Sequence, residues 1–164
     1  MNSIDPTAQI SKYARLDVST KGTQLFVGAY SVIDDFVKIK QVGGAGDVII
    51  GEYVYVNSGT IMYSGNGIKI GNSVLIGPNC SIVPVNHEYK NPNQLIRLQG
   101  FKRSKGGITI HDDVWLGANV TIVDGVTIGK GAIISANSLL KDNVEEYAIY
   151  AGNPAKKIGS RLDE

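Results

Sequence analysis

Residues 110–145 divide into sixes as IHDDVW, LGANVT, IVDGVT, IGKGAI, ISANSL and LKDNVE. Every block opens on a branched aliphatic: Ile110, Leu116, Ile122, Ile128, Ile134 and Leu140. Four residues further on stands a small or apolar residue: Val114, Val120, Val126, Ala132, Ser138 and Val144. Gly follows the aliphatic at Gly117 and Gly129. A period of six drifts around a 3.6-residue turn, so the stretch is not a helix. The Gly and Asn breaks also interrupt the alternation a plain strand requires. A hexapeptide repeat accounts for both facts. Each six supplies one short strand and one corner, and three sixes close a triangular coil with its aliphatics inward.

The register extends back to the N-terminus. Ile4, Ile10 and Leu16 are six apart, as are Val27, Ile33 and Ile39, then Ile50, Val56 and Met62, then Ile70, Ile76 and Ile82. With the two triplets of the opening stretch this predicts six coils, which at the inter-strand spacing stand roughly 29 Å tall. The interruptions all fall between the third face of one coil and the first face of the next. Two are small bulges, the second carrying GGAG at 43–46. The large one separates Ile82 from Ile110 by 28 residues, 22 more than one repeat needs. Such a loop in a repeat protein is a usual place for binding residues. After Leu140 the pattern fades; Ile149 and Ala151 are expected to form one more partial rung, and a basic tail to cap the open end. The chain is thus expected to be all-β and a single domain over 1–164. It should be a parallel β-helix of about six triangular coils, with one projecting loop at about 84–107 and a C-terminal cap at about 145–164.

Composition fits this expectation. Gly accounts for 20 of 164 residues, which suits many corners. A formal net charge of +1 offers no case for nucleic acid or an anionic membrane. The single cysteine, Cys80, excludes an internal disulfide framework and falls at an inward phase. The start MNSIDPTAQI has neither a basic n-region nor an apolar h-region, and no run reaches transmembrane length. A cytoplasmic location is expected.

Several segments resemble one family: IGEYVYVN at 50–57, NHEY at 86–89, SKGGITIHDDVWLGANVTI at 104–122, VTIGKGAIISANS at 126–138 and AGNPAK at 151–156. Together they resemble the left-handed β-helix acyltransferases, most closely the galactoside, maltose and related polysaccharide O-acetyltransferases. The resemblance implies a left-handed coil, acetyl-CoA as cosubstrate without a metal, and a homotrimer with sites between subunits. It implies transfer of an acetyl group to a hydroxyl of a sugar or saccharide, in a setting such as polysaccharide biosynthesis. His87 is then the general base, an imidazole titrating near neutrality being suited to take the hydroxyl proton. Trp115 would wall the cleft between subunits. Gly117, Ala118 and Ala136, with Asn153 and Pro154 of AGNPAK, would line the coenzyme, the N–H of Ala118 facing the thioester oxygen. Lys141, Lys156, Lys157 and Arg161 would meet its phosphates, and Asn57, Asn86 and Glu88 the acceptor. Either Glu88 or a backbone carbonyl would orient His87.

Plainer readings stand beside these. Tight corners favour small residues, Asn at a corner tolerates positive φ, and a basic tail is commonly just solvated. The charges Arg97, Lys102, Arg103 and Lys105 of the loop would flank the cleft or bind an anionic acceptor, or again merely face water. The N-terminal helical segment of the galactoside and maltose enzymes has no counterpart here, so their acceptors are not carried over. Acylation of an amino group on a nucleotide-linked sugar remains open, because the same base and cleft serve both reactions. A γ-class carbonic anhydrase would need three histidines on zinc, whereas the chain has His87 and His111 alone. A non-catalytic scaffold leaves the joint occurrence of His87, VWLGAN and AGNPAK unexplained.

Overall fold

A computed structural model describes residues 2–42 and 46–163. Of the expected GGAG bulge, residues 43–45 lie outside the described residues. The first coil comprises β1 (Ser3–Ile4), β2 (Gln9–Ile10) and β3 (Arg15–Leu16), and the second β4 (Leu25–Val27), β5 (Val32–Ile33) and β6 (Lys38–Lys40). The third holds β7 (Val48–Ile50), β8 (Tyr55–Val56) and β9 (Ile61–Tyr63), and the fourth β10 (Ile68–Ile70), β11 (Leu75–Ile76) and β12 (Ser81–Val83). After the loop come β13 (Ile108–Ile110), β14 (Trp115–Leu116) and β15 (Thr121–Val123), then β16 (Thr127–Ile128), β17 (Ile133–Ile134) and β18 (Leu139–Leu140). A hairpin of β19 (Ala148–Gly152) and β20 (Ala155–Ser160) follows.

Every third strand joins the same parallel sheet, so three sheets form the faces of a triangular prism. The register is the one the sixes predict. On the first face Ile4, Val27, Ile50, Ile70, Ile110 and Ile128 are successive partners. On the second, Ile10, Ile33, Val56, Ile76, Leu116 and Ile134 stack in the same way. Leu16, Ile39, Met62, Ile82, Ile122 and Leu140 do so on the third. From the second coil upward all of these are buried, as are Val114, Val120, Val126, Ala132, Ser138, Val144 and Cys80. Each buried aliphatic contributes about 1.5–3 kcal/mol, so the inner column supplies most of the stability. The first coil differs. Ile4 keeps 38% of its surface exposed, because no described rung covers it from below.

Corners are made by left-handed residues. Asn79, Asn119 and Asn137 hold φ of 58°, 59° and 62° at successive corners between the second and third faces, residues that accept this conformation readily. Phe36 takes that conformation at the same corner of the second coil, and Tyr30 and Tyr53 take it between the first and second faces, against their steric preference. Tyr30 stacks on Tyr53 at 5.0 Å between ring centroids, and Tyr13 on Phe36 at 5.7 Å. Gly77 and Gly117 serve a different need. A Cβ at Gly77 would lie 2.6 Å from the Gly117 carbonyl carbon, and one at Gly117 would lie 2.6 Å from the Ala136 nitrogen.

The tail forms a seventh rung on the second face, in which the expected Ile149 and Ala151 both lie. Ile149 pairs with Ile133 and Tyr150 with Ile134, so that Ala148 and Tyr150 take the inward phase. β20 then folds back antiparallel on β19. Arg161 clamps the end by donating from Nη1 to the Asp113 carboxylate at 2.8 Å and to the Gly131 carbonyl at 2.9 Å.

Candidate functional site

The long loop is an arm with its own hydrogen bonds. It leaves β12 after Val83 and returns at Ile108. At its base the chain pairs antiparallel across His87 and Phe101. There the Glu88 N–H donates to the Gly100 carbonyl at 3.0 Å and the Lys102 N–H to the Asn86 carbonyl at 2.8 Å. At its tip a short 3-10 turn, Ile96–Leu98, is tied back by the Gln99 amide, which donates to the carbonyls of Asn91 and Gln94. Asp124, buried in the corner beside the loop's return, anchors the arm to the prism. Its Oδ2 accepts from the Lys105 N–H at 2.8 Å and the Asn66 amide at 3.2 Å, and its Oδ1 from the Gly107 N–H at 3.0 Å.

His87 therefore sits on a braced two-stranded base rather than on a free loop. Its ring is exposed, lies 4.9 Å from the Phe101 ring, and has Nδ1 3.3 Å from the Gly100 carbonyl oxygen. A carbonyl only accepts, so this contact selects the Nδ1–H tautomer and leaves Nε2 with its lone pair. Of the two expected orienting partners, the backbone carbonyl is the one in contact. The Glu88 carboxylate is turned to its own chain. It accepts from the Tyr89 and Lys90 N–H groups, which hold its pKa below the usual carboxylate range. Asn86 and His87 line a cavity of about 410 Å³ with Tyr89, Lys102, Arg103, Lys105 and Asp124.

A second group of expected residues lies on another edge of the prism. Gly117 and Ala118 follow β14 at the corner between the second and third faces, and Ala136 lies on the next rung of that corner. The Asn137 N–H donates to the Ala118 carbonyl at 2.9 Å, whereas the N–H groups of Ala118 and Ala136 have no partner among the described residues. Asn57 belongs to the same corner, two rungs below Gly117. Both its backbone N–H and its side-chain amide donate to the Ile76 carbonyl. Asn57 does not adopt positive φ, so the plain reading of a turn-former does not explain it. The turn of the terminal hairpin, Asn153 and Pro154, reaches this corner through the Gly152 N–H, which donates to Ser138 Oγ at 3.1 Å.

The lysines divide. Lys141 and Lys156 are exposed, and Lys157 pairs with the Glu145 carboxylate at 2.6 Å, a bond that raises the lysine's pKa. Arg161 is engaged through Nη1 as the clamp of the tail. Trp115, 52% exposed, lies on the second face between Leu75 and Ile133, beside a hollow of about 180 Å³ that also includes Asp113 and Arg161.

The structure thus brings Asn86 and His87 together on one edge, and Gly117, Ala118, Ala136 and Asn57 on another. The third face separates them within a chain. Asp124 and the Gly100 carbonyl were missed from sequence. The Asp-Gly pair at the corner beside the loop's return was the available signal for Asp124, but a buried carboxylate cannot be told from a turn residue by pattern. Among the described residues no group of three His, Cys, Asp or Glu side chains could hold a metal ion, and no helix is long and apolar enough to cross a membrane.

Comparison with known proteins agrees with this architecture. Residues 107–142 match the family described as bacterial transferase hexapeptide (six repeats). The chain is 36% identical over 112 residues to a putative acetyltransferase of Saccharomyces cerevisiae, covering 68% of this chain and 55% of that protein. It is 32% identical over 111 residues to a galactoside O-acetyltransferase of Lactococcus lactis, covering 68% and 52%. The chain spans about half the length of these curated relatives. Among solved structures it superposes on AntD, an N-acyltransferase from Bacillus cereus in complex with dTDP and 3-hydroxybutyryl-CoA. The TM-score is 0.80 at 25% identity, covering 98% of this chain and 82% of that one. The hand of the coil is accordingly left-handed.

Proposed function

From the premise that this chain carries the hexapeptide repeat and left-handed β-helix of the acyltransferases it resembles, we propose that it transfers an acetyl group from acetyl-CoA to a hydroxyl of a sugar or saccharide. The observation that carries the reading is His87, held at Nδ1 by the Gly100 carbonyl beside an open cavity, with Nε2 left to accept a proton. The acceptor oxygen forms a bond to the thioester carbonyl carbon as its proton passes to Nε2. The tetrahedral oxyanion accepts from the unpartnered Ala118 N–H. Collapse breaks the carbon–sulfur bond, and His87 returns its proton to the departing thiolate. The coenzyme arm follows Gly117, Ala118, Ala136 and the Asn153–Pro154 turn, with Lys141, Lys156 and Lys157 near its phosphates. Asn57, Asn86 and Glu88 are assigned to the acceptor side.

Base and coenzyme edge lie on different edges of one prism, so one chain does not complete this site. A second copy does, if its Ala118 edge faces the His87 arm of the first. The second face offers a surface for such packing, a ladder of outward Val32, Tyr55, Leu75, Trp115 and Ile133 in register. A closed threefold ring forms three equivalent sites from this one contact. Transfer to an amino group is the second reading, favoured by the likeness to an N-acyltransferase along 98% of the chain. Release of free thiol from acetyl-CoA, followed with hydroxyl-bearing and amino-bearing sugars side by side, tests both. Absence of transfer to either would remove the proposal.

A further inference from the structure

We infer that the acceptor carries an oxyanion group, phosphate or carboxylate, held by Lys102, Arg103 and Lys105 while His87 takes the proton of the nucleophile beside it. This deepens the transferase reading and rests on it. The three cations line the same cavity of about 410 Å³ as His87. None is neutralised by an ion pair: the ion pairs of the described residues are Arg15–Asp17, Lys157–Glu145 and Arg161–Asp113. Asp124 is the carboxylate in the lining, and it is buried with both oxygens turned to the N–H groups of Lys105 and Gly107 and the Asn66 amide. Glu88 is nearby but is held by the Tyr89 and Lys90 N–H groups. The Lys102 ammonium lies 5.4 Å from the centroid of the Tyr89 ring, a contact that orients the charge without cancelling it.

The cavity therefore holds three cations against one occupied carboxylate. Both ends of the segment are pinned, Lys102 through its N–H to the Asn86 carbonyl and Lys105 through its N–H to Asp124. Like charges lining one cavity repel one another, and a bound oxyanion relieves that repulsion with charge-assisted hydrogen bonds. A neutral hydroxyl accepts a hydrogen bond from the cations but brings no negative charge to offset their repulsion. Arg103 in particular presents a planar fork suited to two oxygens of one phosphate or carboxylate.

The test uses acetyl-CoA with three acceptors matched in the sugar: a neutral hexose, its phosphate and its uronic acid. A charged acceptor should show kcat/KM at least about tenfold above the neutral one, with the preference shrinking as salt is added. Phosphate against uronate identifies which oxyanion is meant. Arg103→Gln and Lys105→Gln should each raise the KM for the charged acceptor about five- to tenfold and leave the KM for acetyl-CoA in place. Equal kcat/KM for neutral and charged acceptors overturns the inference and leaves the transferase reading intact. A rise in the acetyl-CoA KM alone also overturns it, since the cations would then serve the coenzyme. If no acceptor turns over, inorganic phosphate titrated into the whole protein with coenzyme A already bound decides the matter separately, read from the His87 imidazole NMR signals. Saturable shifts that vanish in the Arg103→Gln/Lys105→Gln double variant uphold the anion site, and no shift at millimolar concentration overturns it.

Discussion

At the residue scale, the proposed chemistry narrows to one imidazole nitrogen. Replacing His87 with Asn keeps a similar size and removes the base, so turnover should fall about 10²–10⁴-fold. Acetyl-CoA binding, measured by calorimetry, should persist, because the Gly117–Ala136 edge is untouched. Near wild-type turnover would defeat the assignment. The opposite separation is expected at Ala118. A Trp side chain there would obstruct the corner shared with Ala136 and abolish coenzyme binding while His87 stays in place. Asp124 predicts a third outcome. Its oxygens accept three donors, so Asp124→Asn turns an amide N–H toward one of them. The cost should be about 1–3 kcal/mol, visible as a lower Tm, since a buried donor is left facing a donor. Asp124 was invisible in the pattern because its role depends on Lys105 and Asn66, 19 and 58 residues away.

At the element scale, the arm and the coil separate. The register on either side of the loop is continuous, with Ile68–Ile70 pairing directly to Ile108–Ile110. Replacing residues 90–99 with a short Gly-containing turn keeps the His87–Phe101 pairing and the Asp124 anchor. Loop entropy changes slowly with length, so this variant should unfold close to the wild-type temperature. If the arm forms part of the acceptor site, acceptor KM should rise while coenzyme binding is retained. Unchanged activity would show the tip to be dispensable, and a collapsed Tm would show it to be structural. The loop's limits were legible from the break in the sixes. The antiparallel pairing within it was not, because Asn86–Glu88 and Gly100–Lys102 carry no period of their own.

At the scale of the whole molecule, the separation of His87 from the Ala118 edge makes association the central question. Sedimentation equilibrium should give a trimer at micromolar concentration, and a monomer would sink the shared-site reading. Leu75→Asp places a charge in the middle of the apolar ladder of the second face and should shift the protein toward monomer. Activity should be lost with the trimer although the fold survives, since Leu75 is outward and contributes nothing to the inner column. Mixing the His87→Asn and Ala118→Trp proteins should recover part of the activity, because some interfaces then pair an intact base with an intact edge.

The sixes by themselves determined the coil, its register and the face on which each aliphatic lies. That information is local and repeats: the first and fifth residues of each six must be inward on every face, and a shift by one would expose the column. Only the tertiary structure decided that the backbone carbonyl of Gly100, rather than Glu88, holds His87, that Arg161 clamps the tail, and that Ala148 and Tyr150 face inward on the last rung. These depend on contacts between segments that share no period, where the partner is chosen by distance in space and not by spacing along the chain.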